Sequence, residues 1–507
     1  MPMKLFHNAR FHSLRREGEV FQALLVEGGV IREAFARPPQ GFSVPERVDL
    51  RGTTVLPGFI DTHTHSFEGG LYTLAVDLSP CEDLEELWAR LSAARPLQDR
   101  IFAWRFDETR LREGRFPTPA ELDRVWPEHP LLLRRVDGHS CVLNSAALSR
   151  IPWNGAAPDT SQPLAGQDNS EAVRWFHAGV GEEWVLAAYQ AAAREAIKGG
   201  CTTVHTMVGN GREDPLHYSL IAAHLAELPV EFILYPQIIS VRRCLELGSP
   251  RIGGCLLVDG SFGSHTAALR EAYADRPESR GRLYREDAYW EALVREAQEH
   301  GLQVAVHAIG DAAIAQILRV YLKTQGSRPR DLRHQIIHNE LVPDSLLEPM
   351  REAGIVSVMQ PRFDALWGGE GGLYARLLGQ RRALLCNRLA SLAQRGILIT
   401  GSSDWYITEL EALKGIEASV RMHNPAERLS PFQALQLYST NAARLSLAEG
   451  RLGNLLPGYQ ADMVCLSNDP LSAADCGSIA IRQVLKAGRP VGPGFLAGEP
   501  KCPPESR

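Results

Sequence analysis

Short runs of apolar residues recur through the middle of the chain and alternate with longer stretches of helical periodicity. Continuous apolar runs are typical of strands buried on both faces, and their alternation with helical patterns indicates parallel βα units. The pattern therefore predicts a barrel or an open parallel sheet. The apolar runs are 53–61, 201–207, 253–260, 302–311, 334–340, 355–361 and 397–404, and helical patterns such as 183–200 and 288–301 lie between several of them.

The two ends of the chain have a different pattern. Residues 24–35 contain two short apolar runs around a Gly-Gly pair, which predicts a hairpin, and residues 461–466 and 482–491 are also strand-like. The interval from Asp61 to Cys201 is far longer than one crossover between strands needs. We therefore expect an insertion at about 68–180.

Composition narrows the class of protein. A chain of 507 residues is too long for one core, and 44% hydrophobic with 22% charged residues is typical of a globular protein. A net charge of −6 without a concentrated basic face predicts no nucleic-acid partner, and no apolar run is long enough to predict a membrane span. Nine scattered cysteines, together with an N-terminus that lacks a secretory pattern, predict a cytoplasmic protein without a disulfide framework.

Two histidines follow the first apolar run of the middle region. His63 and His65 stand two residues apart, and residues i and i+2 of a strand point to the same face. Both imidazoles would therefore converge at the end of one strand. A pair of loop histidines is the alternative interpretation of so short a motif.

Three further polar residues close apolar runs elsewhere in the chain: His307 in VAVHAIGD, His338 in QIIHNE and Asp404 in ILITGSSD. Residues at the carboxyl ends of barrel strands face the active site. Imidazole and carboxylate groups are the donors of zinc-type hydrolytic sites. Each of these residues alone could be a hydrogen-bonded core residue, but their shared placement favours a metal site.

The same segments resemble a known family. PGFIDTHTH, VDGSFGSHTAAL, VAVHAIGD, RHQIIHNE and GSSDW, with the DGH…NSAAL segment and GRLGNLLPGYQADMVCL, are similar to the amidohydrolase superfamily, and within it to the branch called amidohydrolase family 3, or YtcJ-like. The resemblance implies an α/β fold, a distorted TIM (β/α)8 barrel with a small β-sandwich built from both chain ends. We expect the sandwich at 1–55 and 450–507 and the barrel at 56–449.

The resemblance also implies roles for individual residues. A divalent metal, with zinc expected as one or two ions, would be held at the strand ends. Asp404 would act as the general base, and His338 or His139 would stabilise the developing oxyanion. The metal ligands implied are His63, His65, His307, His338 and Asp404.

One position departs from the pattern of the branch. Members of the branch carry a lysine four residues before the aspartate that is Asp259 here, and that lysine is carbamylated and bridges two metals. Cys255 stands at this position. As a thiolate it would ligate or bridge the metal, as a cysteine does in D-aminoacylase-like members, and as a thiol it would be a small buried filler beside a single ion. Both interpretations stay open, and we include Cys255 among the expected ligands.

Several other residues are expected at the substrate pocket. The DGH segment resembles the pocket motif of the branch, and the remaining positions end or follow barrel runs. Structural roles are the alternative for each of them. The residues are Asp137, His139, His205, Asp259, His265 and Trp405.

These observations predict a metal-dependent hydrolase that cleaves a non-peptide C–N bond of a small molecule with water activated by the metal. Hydrolysis of an ester or carbamate at the same site is an alternative within enzymes. A non-catalytic scaffold on a hydrolase fold is the alternative outside them, and loss of the bridging lysine gives it some support. The resemblance further implies a homodimer.

Overall fold

A computed structural model describes residues 3–39, 44–136, 138, 140–325, 331–473 and 475–492. These residues form two compact units, of which one contains 3–65 and 193–492 and the other contains 66–192. No helix in the described ranges has the length and apolar composition needed to cross a membrane.

Strands and helices alternate along most of the chain. The strands are β1 Lys4–His12, β2 Val20–Glu27, β3 Val30–Phe35, β4 Glu46–Pro57, β5 Phe59–Thr64, β6 Val76–Asp77, β7 Ile101–Phe106, β8 Leu131–Arg135, β9 Ser140–Leu143, β10 Leu164–Ala165, β11 Cys201–Val208, β12 Glu231–Pro236, β13 Arg251–Leu257, β14 Gln303–Ala308, β15 Gln335–His338, β16 Val356–Met359, β17 Leu398–Gly401, β18 Met463–Leu466, β19 Ile481–Lys486 and β20 Arg489–Val491. The α-helices are α1 Ser66–Leu74, α2 Leu84–Ser92, α3 Pro119–Val125, α4 Ser145–Arg150, α5 Gly166–Ala178, α6 Glu182–Lys198, α7 Tyr218–His224, α8 Val241–Glu246, α9 Asp287–Glu299, α10 Asp311–Thr324, α11 Asp344–Ala353, α12 Pro361–Trp367, α13 Leu373–Leu378, α14 Gln380–Ala383, α15 Leu389–Gln394, α16 Ala412–Val420, α17 Pro431–Leu437 and α18 Thr440–Leu445. Short 3-10 helices cover Glu108–Arg110, Leu225–Glu227 and Pro425–Glu427.

Eight parallel strands of the first unit have the order of a (β/α)8 barrel. Strands β5, β11 and β12 form one hydrogen-bonded arc, and β13, β14, β15, β16 and β17 form another. Helices lie between successive strands from β11 onward, as the alternating pattern predicted. The expectation of an α/β, distorted TIM barrel is confirmed.

The two arcs adjoin without a continuous ladder of hydrogen bonds, which is the distortion of the barrel. At one junction, beyond the end of β17, the backbone N–H of Asp404 donates to the carbonyl of His63 at 3.0 Å, and the N–H of His65 donates to Trp405 at 2.6 Å. At the other junction the side chain of Gln237 donates to the carbonyl of Cys255 at 2.9 Å. The first junction therefore ties together backbone segments that carry three of the expected metal ligands.

A bulge distorts β13 just before Cys255. The pairing of β13 with β14 shifts between Gly253 and Leu256, and Gly253 and Gly254 have φ angles of 93° and 101°. These angles are strained for any residue with a side chain. A Cβ at Gly253 would also overlap the carbonyl oxygen of Ala305 on β14. The Gly-Gly pair thus permits the bulge, which sets the direction in which Cys255 points.

Both chain ends build the small domain of the first unit. Seven strands form a sheet in the order β20-β19-β18-β4-β1-β2-β3. Phe6 and Leu24 from the N-terminal strands pack in one apolar cluster with Met463 and Leu485 from the C-terminal strands. Strands from both chain ends therefore share one sheet and one core, as expected for the small domain.

The second unit contains the interval in which we expect the insertion. Its sheet has the order β10-β9-β8-β7-β6, with β6, β7 and β8 parallel and β9 and β10 antiparallel to their neighbours. Helix α3 begins with a capping box, in which Thr118 and Glu121 each accept a backbone N–H of the other residue. The division of the chain into domains at 55 and 450 stays a prediction.

A layer of polar side chains lies at the amino ends of two barrel strands. Gln303 begins β14 and Gln335 begins β15, and both are buried. The amide of Gln335 donates to Tyr235 at 2.8 Å and to Gln303 at 2.9 Å. These buried amides satisfy one another, as polar groups in a core must.

We expect Gly253→Ala to lower the free energy of unfolding by at least about 2 kcal/mol, because the left-handed φ and the overlap with Ala305 both strain the backbone. Gly450→Ala is the matched control, since a Cβ there meets no atom within 4 Å. Thermal and urea unfolding of both variants measure the effect. Equal stability of the two variants would show that the bulge does not require glycine.

Candidate metal centre

Six expected ligands lie together at the carboxyl ends of the barrel strands. His63, Cys255, His307 and His338 lie at or near the ends of β5, β13, β14 and β15. His65 and Asp404 follow the ends of β5 and β17. Parallel barrel strands bring their carboxyl ends to one face, and for this reason residues far apart in the chain meet here.

The donor atoms are close enough to share an ion. His63 Nε2 and His65 Nε2 lie 3.2 Å and 3.4 Å from Asp404 Oδ1. A second group, formed by His63, Cys255 and His338, also has all its donor atoms within 4.8 Å of one another. His63 belongs to both groups, so the two sets of donors are adjacent.

The sulfur of Cys255 lies among the imidazoles. Its Sγ is 4.0 Å from His307 Nδ1, and the ring centroids of His307 and His338 are 4.6 Å apart. Burial by itself would raise the pKa of the thiol, but the surrounding histidines His307, His338, His63 and His65 outweigh burial and hold the pKa well below its usual value. The site therefore favours a thiolate, which is the form that binds metal.

The pKa values of Asp404 and His63 are shifted in opposite directions. Burial opposes ionisation of Asp404, yet His63 and His65 hold the pKa of this carboxyl well below its usual value. Burial likewise opposes charge on His63, and Asp404 and Cys255 outweigh it and raise the pKa of that imidazole. The imidazoles thus supply the positive charge that the two buried anionic donors need, and a bound cation would supply it in their place.

Buried polar atoms without hydrogen-bond partners indicate that a metal fits these residues. Both ring nitrogens of His63 and Oδ1 of Asp404 are buried and have no hydrogen-bond partner. The 3.2 Å between His63 Nε2 and Asp404 Oδ1 is short enough for a hydrogen bond but not aligned as one. Imidazole, thiolate and carboxylate donors that face a common point in this way fit a divalent cation such as zinc.

Two of the ligands have strained backbone angles. His338 has a φ of 69° and Asp404 a φ of 53°, both in the left-handed region. Such angles cost about 1–3 kcal/mol for residues with side chains and persist only where their surroundings enforce them. The backbone at these two ligands is therefore held in place by its surroundings.

Asp61 holds the ends of β5 and β17 in place. Its carboxylate accepts the N–H of His63 at 3.2 Å and the N–H of Ser403 at 3.0 Å. Burial raises the pKa of Asp61 to about 6, although these hydrogen bonds oppose the shift. The residue connects the segments that carry His63 and Asp404.

Asp259 has a similar structural role near the ends of β13 and β14. Its carboxylate accepts the backbone N–H groups of Ala268, Ile309 and Gly310 at 2.8–3.0 Å and is fully buried. It also lies 3.7 Å from His307 Nε2. Its contacts are with the backbone and with one ligand, so it organises the loops that follow β13 and β14 and offers no surface to a substrate.

Two other expected pocket residues bond to residues outside the cluster, and a third, Trp405, lies beside it. His265 Nε2 is 2.9 Å from Asp275, and its ring packs on Tyr273. His205 is fully buried and its Nε2 is 2.7 Å from the Ser446 hydroxyl. Trp405 follows Asp404, and its side chain is buried. Asp137 and His139 lie outside the described residues.

Two polar residues near the cluster were not predicted from the sequence. Gln360 follows β16, is fully buried and is 2.8 Å from His338 Nδ1. Glu340 is buried and accepts the Tyr374 hydroxyl at 2.6 Å, and burial raises its pKa to about 7. Gln360 ends the apolar run 355–361, so the signal that found His307 and His338 was present for it too.

A model of the amidohydrolase family matches residues 46–492. The chain belongs to the amidohydrolase family. It is 26% identical over 528 residues to the candidate amidohydrolase YtcJ of Bacillus subtilis, a match that covers 95% of this chain and 97% of that protein. The resemblance to the YtcJ-like branch is thereby confirmed.

Two further proteins are similar to this amidohydrolase. It is 24% identical to the N-substituted formamide deformylase of Arthrobacter pascens, over 94% of this chain and 96% of that enzyme. A crystal structure of a metal-dependent hydrolase from Pyrococcus furiosus superposes with a TM-score of 0.79 at 26% identity, covering 93% of this chain and all of the other. The family and this structure support a metal-dependent hydrolase.

We expect Cys255→Ala to weaken zinc binding by more than about 100-fold, which is the upper end for loss of a residue that only supports a ligand. Metal analysis after dialysis and competition with a chromophoric chelator measure the change. Cys201→Ala is the matched control, because Cys201 is equally buried but begins β11, at the amino end of its strand. Unchanged affinity, with no sulfur neighbour in the X-ray absorption spectrum of bound zinc, would make Cys255 a filler.

Proposed function

We propose that this amidohydrolase cleaves a non-peptide C–N bond of a small molecule in a metal-dependent reaction with water. The observation that carries the proposal is the convergence of a carboxylate, a thiolate and four imidazoles at one end of the barrel strands. The amide chemistry in the name of the Arthrobacter pascens relative supports the type of bond.

The proposed cation is zinc, held by the six residues of the cluster. His63 lies in both donor groups, so it would be the ligand most central to one or two ions. When bound, the cation lowers the pKa of water towards neutrality and polarises a carbonyl oxygen. The ligands are His63, His65, Cys255, His307, His338 and Asp404.

Asp404 is the proposed general base. Its Oδ1 is buried and has no hydrogen-bond partner, so it is available to accept a proton within the cluster. Its backbone is fixed by the hydrogen bond to His63 and by strain at φ 53°, so the carboxylate stays at the centre of the cluster. Asp404 would take a proton from the attacking water and return it to the leaving amine nitrogen.

Aromatic side chains wall the cluster on one side. The ring of Phe363 stacks against His338 with centroids 6.0 Å apart, and Trp367 packs on Phe363 at 4.5 Å. Such walls exclude water and strengthen the electrostatic interactions inside the site.

A panel of small substrates tests this function. The zinc-loaded enzyme should release amine from at least one class among N-substituted formamides, other N-acyl amines and cyclic amides, with stoichiometric zinc in the active form. Esters and carbamates are tested in parallel. A preference for either would mean that the enzyme cleaves that bond and not an amide-type C–N bond. Absence of both bound metal and turnover would favour the scaffold alternative.

We expect Asp404→Asn to lower kcat by about 10²–10⁴-fold, which is the usual contribution of a general base. The asparagine amide cannot act as the base. Its oxygen can still coordinate zinc, so most of the zinc should remain bound. Rate and metal content are measured on the same preparation.

The control for that variant is Asp462→Asn. Asp462 is also a buried aspartate, but it lies in the small sheet domain, where Lys486 donates to it at 2.7 Å. Its replacement should leave kcat unchanged. Full activity of Asp404→Asn would remove Asp404 from the mechanism.

We also propose a cytoplasmic location. The eight cysteines in the described ranges are all unpaired and buried, which suits a reducing compartment. The homodimer and the absence of a nucleic-acid partner stay predictions.

A further inference from the structure

Gln360 connects three strand ends beneath the metal cluster. It follows β16, and its Oε1 lies 2.8 Å from Nδ1 of His338 at the end of β15. Its Nε2 lies 2.9 Å from the hydroxyl of Ser402, just beyond β17. The side chain is fully buried, so neither end of its amide exchanges these partners for water.

The neighbours of Gln360 fix which way its amide is turned. The amide nitrogen lies 3.3 Å from the carbonyl of Val358, and a carbonyl oxygen can only accept. The group facing Val358 must therefore be the NH2. Ser402 can receive the other N–H, because its own hydroxyl donates to the carbonyl of Met359 at 3.0 Å.

This orientation decides the tautomer of His338. The amide oxygen of Gln360 can only accept, so Nδ1 of His338 must carry the proton of their hydrogen bond. In a neutral imidazole the other nitrogen, Nε2, then has its lone pair free. His338 belongs to the donor group with His63 and Cys255, so this lone pair is the one available to a metal.

His307 is held in the opposite tautomer by a different acceptor. Its Nε2 lies 3.1 Å from the carbonyl of Gly260, which obliges Nε2 to donate. When the ring is neutral, the nitrogen of His307 left for a metal is therefore Nδ1, the atom 4.0 Å from Cys255 Sγ. Adjacent ligands thus present different ring nitrogens, each selected by a fixed oxygen behind it.

We propose that Gln360 is a positioning residue that holds His338 in the Nδ1–H tautomer and thereby makes its Nε2 a metal ligand. This inference rests on the proposed metal-dependent function. It has a consequence for the reaction, since Nε2 without a proton cannot donate to a developing oxyanion. The network therefore favours the ligand role of His338 over the oxyanion role that the sequence suggested.

The test compares zinc affinities measured by competition with a chromophoric chelator, which needs no substrate. Gln360→Met keeps the length of the side chain and removes the acceptor, so affinity should fall by about 10–100-fold. Gln360→Glu restores an acceptor on Nδ1 and should return the affinity to that of the native protein. A purely structural role would not be rescued by a buried carboxylate.

Gln335→Met is the matched control. Gln335 is an equally buried glutamine on the strand of His338, but it bonds Gln303 and Tyr235 at the other end of that strand. It should lose stability without losing zinc affinity. Equal affinities for Gln360→Met and Gln335→Met would overturn the inference, whereas a native protein that binds no zinc would overturn the proposed function itself.

A second measurement uses the native sequence and so does not depend on folding of a variant. Long-range ¹⁵N–¹H spectra of the zinc-loaded protein, labelled at histidine, distinguish the two tautomers of each ring. We expect His338, assigned by the proximity of its ring protons to the stacked ring of Phe363, to carry its proton on Nδ1. A proton on Nε2 would overturn the inference.

Discussion

The structure depends on one electrostatic constraint, which is the burial of a thiolate and a carboxylate among four imidazoles at the carboxyl ends of the barrel strands. Uncompensated charge costs several kcal/mol per ion inside a protein. Cys255 and Asp404 can be anionic only because the histidines lie within a few ångströms of them. The bulge in β13 and the junction between β5 and β17 are where the barrel departs from regularity, and both adjoin these anions.

A surrounding layer of hydrogen bonds keeps the donors directed at one point. Asp61 and Asp259 are carboxylates whose acceptor atoms are taken up by backbone N–H groups, so they fix loops instead of binding metal. Gln360 and the carbonyl of Gly260 act on the imidazoles directly. These acidic residues therefore have two kinds of role: Asp61 and Asp259 accept backbone N–H groups, whereas Oδ1 of Asp404 is buried without a hydrogen-bond partner.

Periodicity predicted parallel βα units and placed the ligands at strand ends, and the resemblance to the amidohydrolase family favoured a barrel over an open sheet. A polar residue that ends an apolar run is visible in one chain, and His63, His307, His338 and Asp404 were found in this way. The same sequence could not decide the role of Cys255, because its direction depends on a bulge shaped by Ala305 of another strand.

Residues with ordinary polar chemistry were harder to assign. Asp259 was expected at the substrate, but its partners are backbone N–H groups that only the folded loops bring near it. Gln360 ends an apolar run in the same manner as the ligands, yet an amide suggests no metal chemistry by itself.

The sheet domain also hydrogen-bonds β4 to β18, where Pro57 pairs with Met463, and Gly58 alone separates β4 from the strand of His63. During synthesis, β4 cannot complete its pairing until β18, some four hundred residues later in the chain, has been made. A ribosome-bound chain therefore cannot complete the segment that leads into His63 before its last strands emerge.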